Sequence, residues 1–148
     1  MRQGLHGAPL DNNPTMTATG NYLGGLRTQV THLQSGNTLV TDAPTDNQGQ
    51  GQAFSPTDLL AVSLATCAVT TMALEAKRQG FDPTGLSWTI LKKMAPAPRR
   101  VAGVDVVIGW EGGAPAGADV AKLKEAALHC PVARSLHPDL VQDIQFAF

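Results

Sequence analysis

Cys67 and Cys130 are the only thiols in the chain, and each stands in a context that favours chemistry. Cys67 lies in an apolar run that opens S-P-T-D-L-L at Ser55. Cys130 ends a second apolar run and is followed at once by Pro131, in H-C-P-V-A-R-S-L. Two thiols far apart in sequence, with no other cysteine beside either, suggest a redox pair. A zinc site favours local pairs such as C-x-x-C, and the chain has none. The four histidines, His6, His32, His129 and His137, show no ligand spacing. No G-x-S-x-G nucleophile elbow occurs, and the glycine-rich stretch from Asn47 carries neither a Walker nor a dinucleotide pattern. No metal and no cofactor is expected.

Each cysteine alone also has an ordinary explanation. A cysteine in an apolar helix usually packs as a small hydrophobe. Burial raises a thiol pKa, so a reactive Cys67 needs a cation from elsewhere in the fold. Cys130 has more local support. Pro131 can begin a short helix, which puts Cys130 at its N-cap before unpaired backbone N–H groups, a position that favours thiolate. His129 reads as an exposed helix-end residue that complements the dipole, not as a base.

The elements that must position these thiols follow from pattern. Residues 1–19 are rich in Gly, Pro and Asn and read as a flexible arm, with one domain over residues 20–148. L-R-T-Q-V-T-H-L and T-L-V-T-D alternate and flank Q-S-G-N, so two strands are expected with Gly36-Asn37 at the turn. D-N-Q-G-Q-G-Q, from Asp46, reads as a flexible polar loop. A helix is expected from Ser55, with Ser55 as N-cap, Pro56 at the first position, Asp58 complementing the dipole, and Gly80 past the end. It is apolar on nearly every face, which marks it as buried. L-S-W-T-I-L-K-K-M and V-A-G-V-D-V-V-I-G-W read as strands joined by P-A-P-R-R. Asp119 caps a second helix that ends at Cys130, and the C-terminal L-V-Q-D-I-Q-F-A-F alternates like a strand. The order is ββ-α-ββ-α-β, an α+β domain with mostly antiparallel strands.

The bulk numbers agree with such a domain. The chain has 148 residues, 43% of them hydrophobic, enough to bury a core without disulfide staples. A net charge of −1 with scattered Lys and Arg gives no surface for nucleic acid or an anionic membrane. No stretch reads as long enough to span a bilayer, and the N-terminus lacks the apolar core of a secretory signal. A reducing cytoplasm is the expected setting, where the thiols rest free and a disulfide between them is transient.

At this point S-P-T-D-L-L-A-V-S-L-A-T-C, followed at a distance by A-A-L-H-C-P-V-A-R-S-L, resembles the OsmC/Ohr family of thiol peroxidases. The likeness runs from about Asn21 to Phe148. It implies an intimate homodimer in which strands of both subunits wrap two central apolar helices. It also implies a cofactor-free reduction of organic hydroperoxides, as a defence against oxidative stress. Cys67 would become a sulfenic acid, Cys130 would condense with it to a disulfide, and an external dithiol would restore both thiols.

The family's activating groups are not reproduced residue for residue. Its glutamate stands in an S/N-P-E string, at the position Thr57 occupies here. Asp58 follows, one residue along and so rotated by about 100° on a helix. The family arginine comes from the N-terminal hairpin region, where Arg27 is the nearest candidate here. Arg27 and Asp58 are therefore expected beside Cys67 and Cys130 in the site. Arg27 also reads as a strand-end surface charge, Asp58 as a helix N-terminal residue, and Arg99 and Arg100 as an exposed turn. Two other functions fit the same text. One is a dimer that binds a hydrophobic ligand in an interfacial pocket lined by the thiols. The other is a thiol-dependent acyl-transfer enzyme, which needs a histidine near Cys67.

Overall fold

The computed structural model describes residues 15–148, which fall into two compact units divided between Ser55 and Pro56. The N-terminal unit is an antiparallel sheet of β1 (Ala18–Gly24), β2 (Arg27–His32) and β3 (Thr38–Asp42), in that order. The expected hairpin is β2–β3. Its turn closes through His32, whose N–H donates to Asn37 O at 2.8 Å while its carbonyl accepts from Gly36 N at 2.8 Å. Gly36 takes φ +75°, which a glycine adopts without strain. The expected arm lies outside the described residues up to position 14, and its last two residues, Ala18 and Thr19, open β1. β1 escaped the pattern reading because A-T-G-N-Y-L-G has weak strand propensity and no buried face. Pairing with β2 holds it.

The polar loop after β3 is tied down, contrary to the expectation of flexibility. Gly51 N donates to Ala43 O at 3.2 Å, Gly49 N to Pro44 O at 3.0 Å, and Gln52 N to Asp42 Oδ2 at 3.0 Å. A Cβ on Gly49 would stand 1.7 Å from Ala43 O, so this loop closes only on a residue without a side chain.

The C-terminal unit packs helices against one face of a second sheet. α1 spans Pro56–Arg78, β4 Leu86–Pro96, β5 Arg99–Trp110, α2 Val120–Leu128, α3 Pro131–Ser135 and β6 Val141–Ala147. β4 and β5 pair antiparallel, as expected of a hairpin. β6 pairs parallel to β5, with Ile144 opposite Val106. The two helices between β5 and β6 form the crossover that a parallel pair requires.

The core joins Val104, Val106 and Ile108 of β5, Leu64 and Met72 of α1, and Leu123 of α2, all fully buried. α1 buries Ala61, Leu64, Ala65, Ala68, Met72 and Ala76, a stripe at helical spacing made largely of alanine. Its end is a glycine cap in which Gly80 N donates to Lys77 O and Phe81 N to Ala76 O. By length and mean hydropathy (23 residues, 1.7) α1 would suffice to cross a bilayer, which corrects the reading that no stretch is long enough. It packs against β4, β5, α2 and α3 through the stripe from Ala61 to Ala76, while other apolar residues such as Leu74 stay exposed, so its burial on nearly every face is not seen in the single chain. α2 starts as expected, with Asp119 Oδ1 accepting from Lys122 N at 3.2 Å.

Candidate active site

Cys67 lies about three turns into α1, half-buried against the core. Cys130 is fully buried between α2 and α3. Pro131 ends one helix and opens the next, so Cys130 becomes the N-cap of α3, as the sequence suggests. Its Sγ accepts the Ala133 N–H at 3.4 Å. The turn is braced from three sides. Arg134 Nε donates to His129 O at 2.9 Å, Ser135 Oγ to Pro131 O at 2.8 Å, and Gln142 Nε2, from β6, to Ala133 O at 2.9 Å.

These constraints bring the two thiols together. The Cys130 thiol lies near enough to Cys67 for the two side chains to interact, and both cysteines are free. Burial pushes the Cys130 thiol above its ordinary pKa, and the contact with Cys67 adds to that. The N–H groups of Ala133 and Val132 pull the other way without prevailing. The expectation that the N-cap would leave Cys130 as thiolate is thus corrected: desolvation outweighs the helix-terminal field. The pair is asymmetric. Cys130 is a buried proton-bearing thiol, and Cys67 is the more accessible sulfur.

The carboxylate expected to serve the site is engaged elsewhere. Asp58 Oδ1 accepts from Lys92 Nζ at 2.7 Å, and the same ammonium donates to Thr57 Oγ1 at 2.9 Å. Cys67 is two and a half turns further along α1, about 13 Å of helix rise. Lys92 was not singled out from sequence, although a signal was present. In L-S-W-T-I-L-K-K-M, period two puts Lys92 on the face of Trp88 and Ile90. An inward lysine calls for an anion.

Arg27 opens β2 in the N-terminal unit. Its side chain is half-buried, and Nε is buried without a hydrogen-bond partner among the described residues. Arg99 and Arg100 are exposed, but they open β5 and pair with Pro96 and Ala95, so the expected turn is confined to Ala97 and Pro98. His129 turns Nδ1 to Glu125 O at 3.0 Å, and His137 faces Asp139 at 3.8 Å. Among the described residues no three His, Cys, Asp or Glu side chains are grouped to hold a metal.

An apolar pocket of about 680 Å³ opens beside the first turn of α1, between Leu60, Val101, Leu136 and Leu140, with Arg100 and His137 also lining it. Leu60 stands two turns before Cys67 on the same side of the helix.

A family model described as OsmC-like protein matches residues 49–144. Among solved structures, a protein of Psychrobacter arcticus named for osmotic stress induction and a detoxification response is 42% identical, with a TM-score of 0.85 over 93% of this chain and 100% of that one. An organic hydroperoxide resistance protein of Legionella pneumophila superposes with a TM-score of 0.70 at 19% identity, over 92% of this chain and 100% of that one. A Vibrio cholerae protein named for organic hydroperoxide resistance, with captopril in one of its active sites, gives 0.69 at 16% identity, over 93% and 95%. The last two likenesses concern the fold. No curated protein matches the sequence.

Proposed function

The chain belongs to the OsmC-like protein family, and from that premise we propose that it is a two-cysteine peroxidase acting on organic hydroperoxides. The observation that carries this reading is the contact between Cys67 and Cys130 across α1 and α3. The Cys67 thiolate attacks the O–O bond of ROOH. One oxygen stays on sulfur as Cys67–SOH, and the other leaves, with a proton, as ROH. Cys130 then displaces water from the sulfenic acid. Its sulfur forms the disulfide, and its proton leaves with the hydroxyl. An external dithiol reduces the disulfide by two successive exchanges and is itself oxidised to a disulfide.

Arg27 is the cation assigned to the Cys67 thiolate, and a homodimer is the assembly. Two features favour a second copy. All seven residues of β1 are exposed in the single chain, and large apolar side chains such as Leu23, Leu74 and Leu91 are more than half exposed. A reducing cytoplasm is the setting in which such a cycle resets.

The test is intact mass on the reduced protein before and after one equivalent of cumene hydroperoxide. Loss of two hydrogens, reversed by a dithiol, supports the cycle. Full hydroperoxide consumption by Cys67→Ser would sink it.

A second reading rests on the apolar pocket at Leu60 and Leu140. There the dimer carries a hydrophobic ligand, and the thiols are lining. Native mass spectrometry of the purified protein separates the two, since a co-purifying ligand with inert thiols favours the carrier.

A further inference from the structure

We propose that Gln142 of β6 is a positioning residue for the resolving thiol: its amide holds α3 at Ala133, and through Ala133 it keeps the sulfur of Cys130 beside Cys67. The proposal rests on the two-cysteine reading above and deepens it. Every group it uses lies in the C-terminal unit.

Four observations carry it. First, Gln142 stands on the inward face of its strand. Gln142, Ile144 and Phe146 are half-buried, while the residues between them are exposed. In the ladder Gln142 lies opposite Val104, Ile144 opposite Val106 and Phe146 opposite Ile108, and all three partners are fully buried. An amide on such a face costs free energy unless it is hydrogen-bonded. Second, its bond goes to α3, where Nε2 donates to Ala133 O at 2.9 Å. Third, Ala133 in turn donates its N–H to Cys130 Sγ at 3.4 Å. One residue thus takes a bond from the sheet and gives a bond to the sulfur. Fourth, α3 is five residues long, and a helix of so few residues does not persist on its own. The braces from Arg134 to His129 and from Ser135 to Pro131 are local. They shape the turn, whereas Gln142 ties it to the sheet.

The resolving step is the one that needs this tie. A disulfide closes only when the two sulfurs reach about 2 Å with a narrow dihedral angle. Cys130 is fully buried, so it meets the Cys67 sulfenic acid from the place that α3 gives it. Its sulfur bonds to the Cys67 sulfur, the S–O bond breaks, and the hydroxyl leaves with the Cys130 proton as water. The Ala133 N–H, aimed at Sγ, faces the negative charge as that proton departs. The attack of Cys67 on the hydroperoxide comes before this and does not use Cys130.

The test is a single turnover of the full-length reduced protein with one equivalent of cumene hydroperoxide, read as two rates: hydroperoxide consumed and disulfide formed. Gln142→Met keeps the length of the side chain and removes the donor. It is expected to consume hydroperoxide at the parent rate and to form the disulfide about ten-fold more slowly, the weight of one hydrogen bond. A dimedone-reactive sulfenic acid should accumulate at Cys67 meanwhile. An unchanged disulfide rate or an equal slowing of both steps would overturn the proposal. So would the same slowing in Gln145→Met, on the outward face of the same strand. Should Gln142→Met not fold, Gln142→Asn, whose amide is drawn back by one methylene, is held to the same outcomes. The parent reading fails separately. If the unaltered protein consumes no hydroperoxide, diamide oxidises the pair instead: it adds to the Cys67 thiol, and Cys130 displaces the hydrazine to close the disulfide. A slower second step in Gln142→Met then keeps the positioning without the peroxidase. Hydroperoxide consumption with an unchanged disulfide rate removes only the role of Gln142.

Discussion

The thiol of Cys130, fully buried at the head of α3, lies beside half-buried Cys67 of α1. The relationship divides the labour between two chemically identical side chains. Desolvation keeps one protonated, and partial exposure opens the other to a solute.

That division predicts different products for the two single variants. Cys130→Ser should react once with cumene hydroperoxide and gain the mass of one oxygen, with a dimedone-reactive sulfenic acid at Cys67. Cys67→Ser should gain nothing under the same treatment. Mass spectra of both, recorded within minutes, check this. Equal oxygen uptake by both variants would mean that burial does not select the attacking sulfur.

The raised Cys130 pKa also predicts an alkaline limb in stability. Below the ordinary thiol pKa the group is neutral in both states, and its full contribution is present. As pH rises past that value the unfolded chain ionises first, binds fewer protons, and gains relative to the fold. The loss continues until the folded thiol ionises too. Urea midpoints of the reduced protein should therefore fall between neutral pH and about pH 10, and fall less in Cys130→Ser. Parallel curves for the two proteins would contradict this.

Lys92→Ala should destabilise the C-terminal unit without touching the thiol chemistry. It removes a half-buried ammonium from Asp58 and Thr57 together. The expected cost is about 1–2 kcal/mol, above a surface ion pair and below a buried one. A urea titration measures the loss, and Cys67 alkylation should stay at the parent rate. A drop in alkylation as large as that from Arg27→Gln would give the Lys92–Asp58 pair a part in the site.

Gly49→Ala tests the loop that follows β3. Its Cβ would overlap Ala43 O, and backbone at that distance must move. The expected loss is about 2 kcal/mol or more, seen as a lower Tm. An unchanged Tm would mean that the loop is not held as described.

What the sequence determined by itself was local. Ser55-Pro56 begins α1, Gly80 ends it with a positive φ, and Cys130-Pro131 puts a cysteine at a helix N-cap, because each is governed by the backbone of a few consecutive residues. The hairpin around Gly36 was legible for the same reason. The family was legible as well, since two cysteine-centred strings in the right order are specific together. Tertiary structure decided the rest. Whether Cys67 meets Cys130, that β6 runs parallel to β5, that weakly patterned β1 is a strand, and that Asp58 answers to Lys92 all depend on segments distant in the chain. Periodicity reports which face of an element is buried, but not what lies against it. The pKa of Cys130 shows the same limit. The helix cap was visible in the sequence, whereas the burial that outweighs it exists only once α1, α2 and α3 have closed around the sulfur.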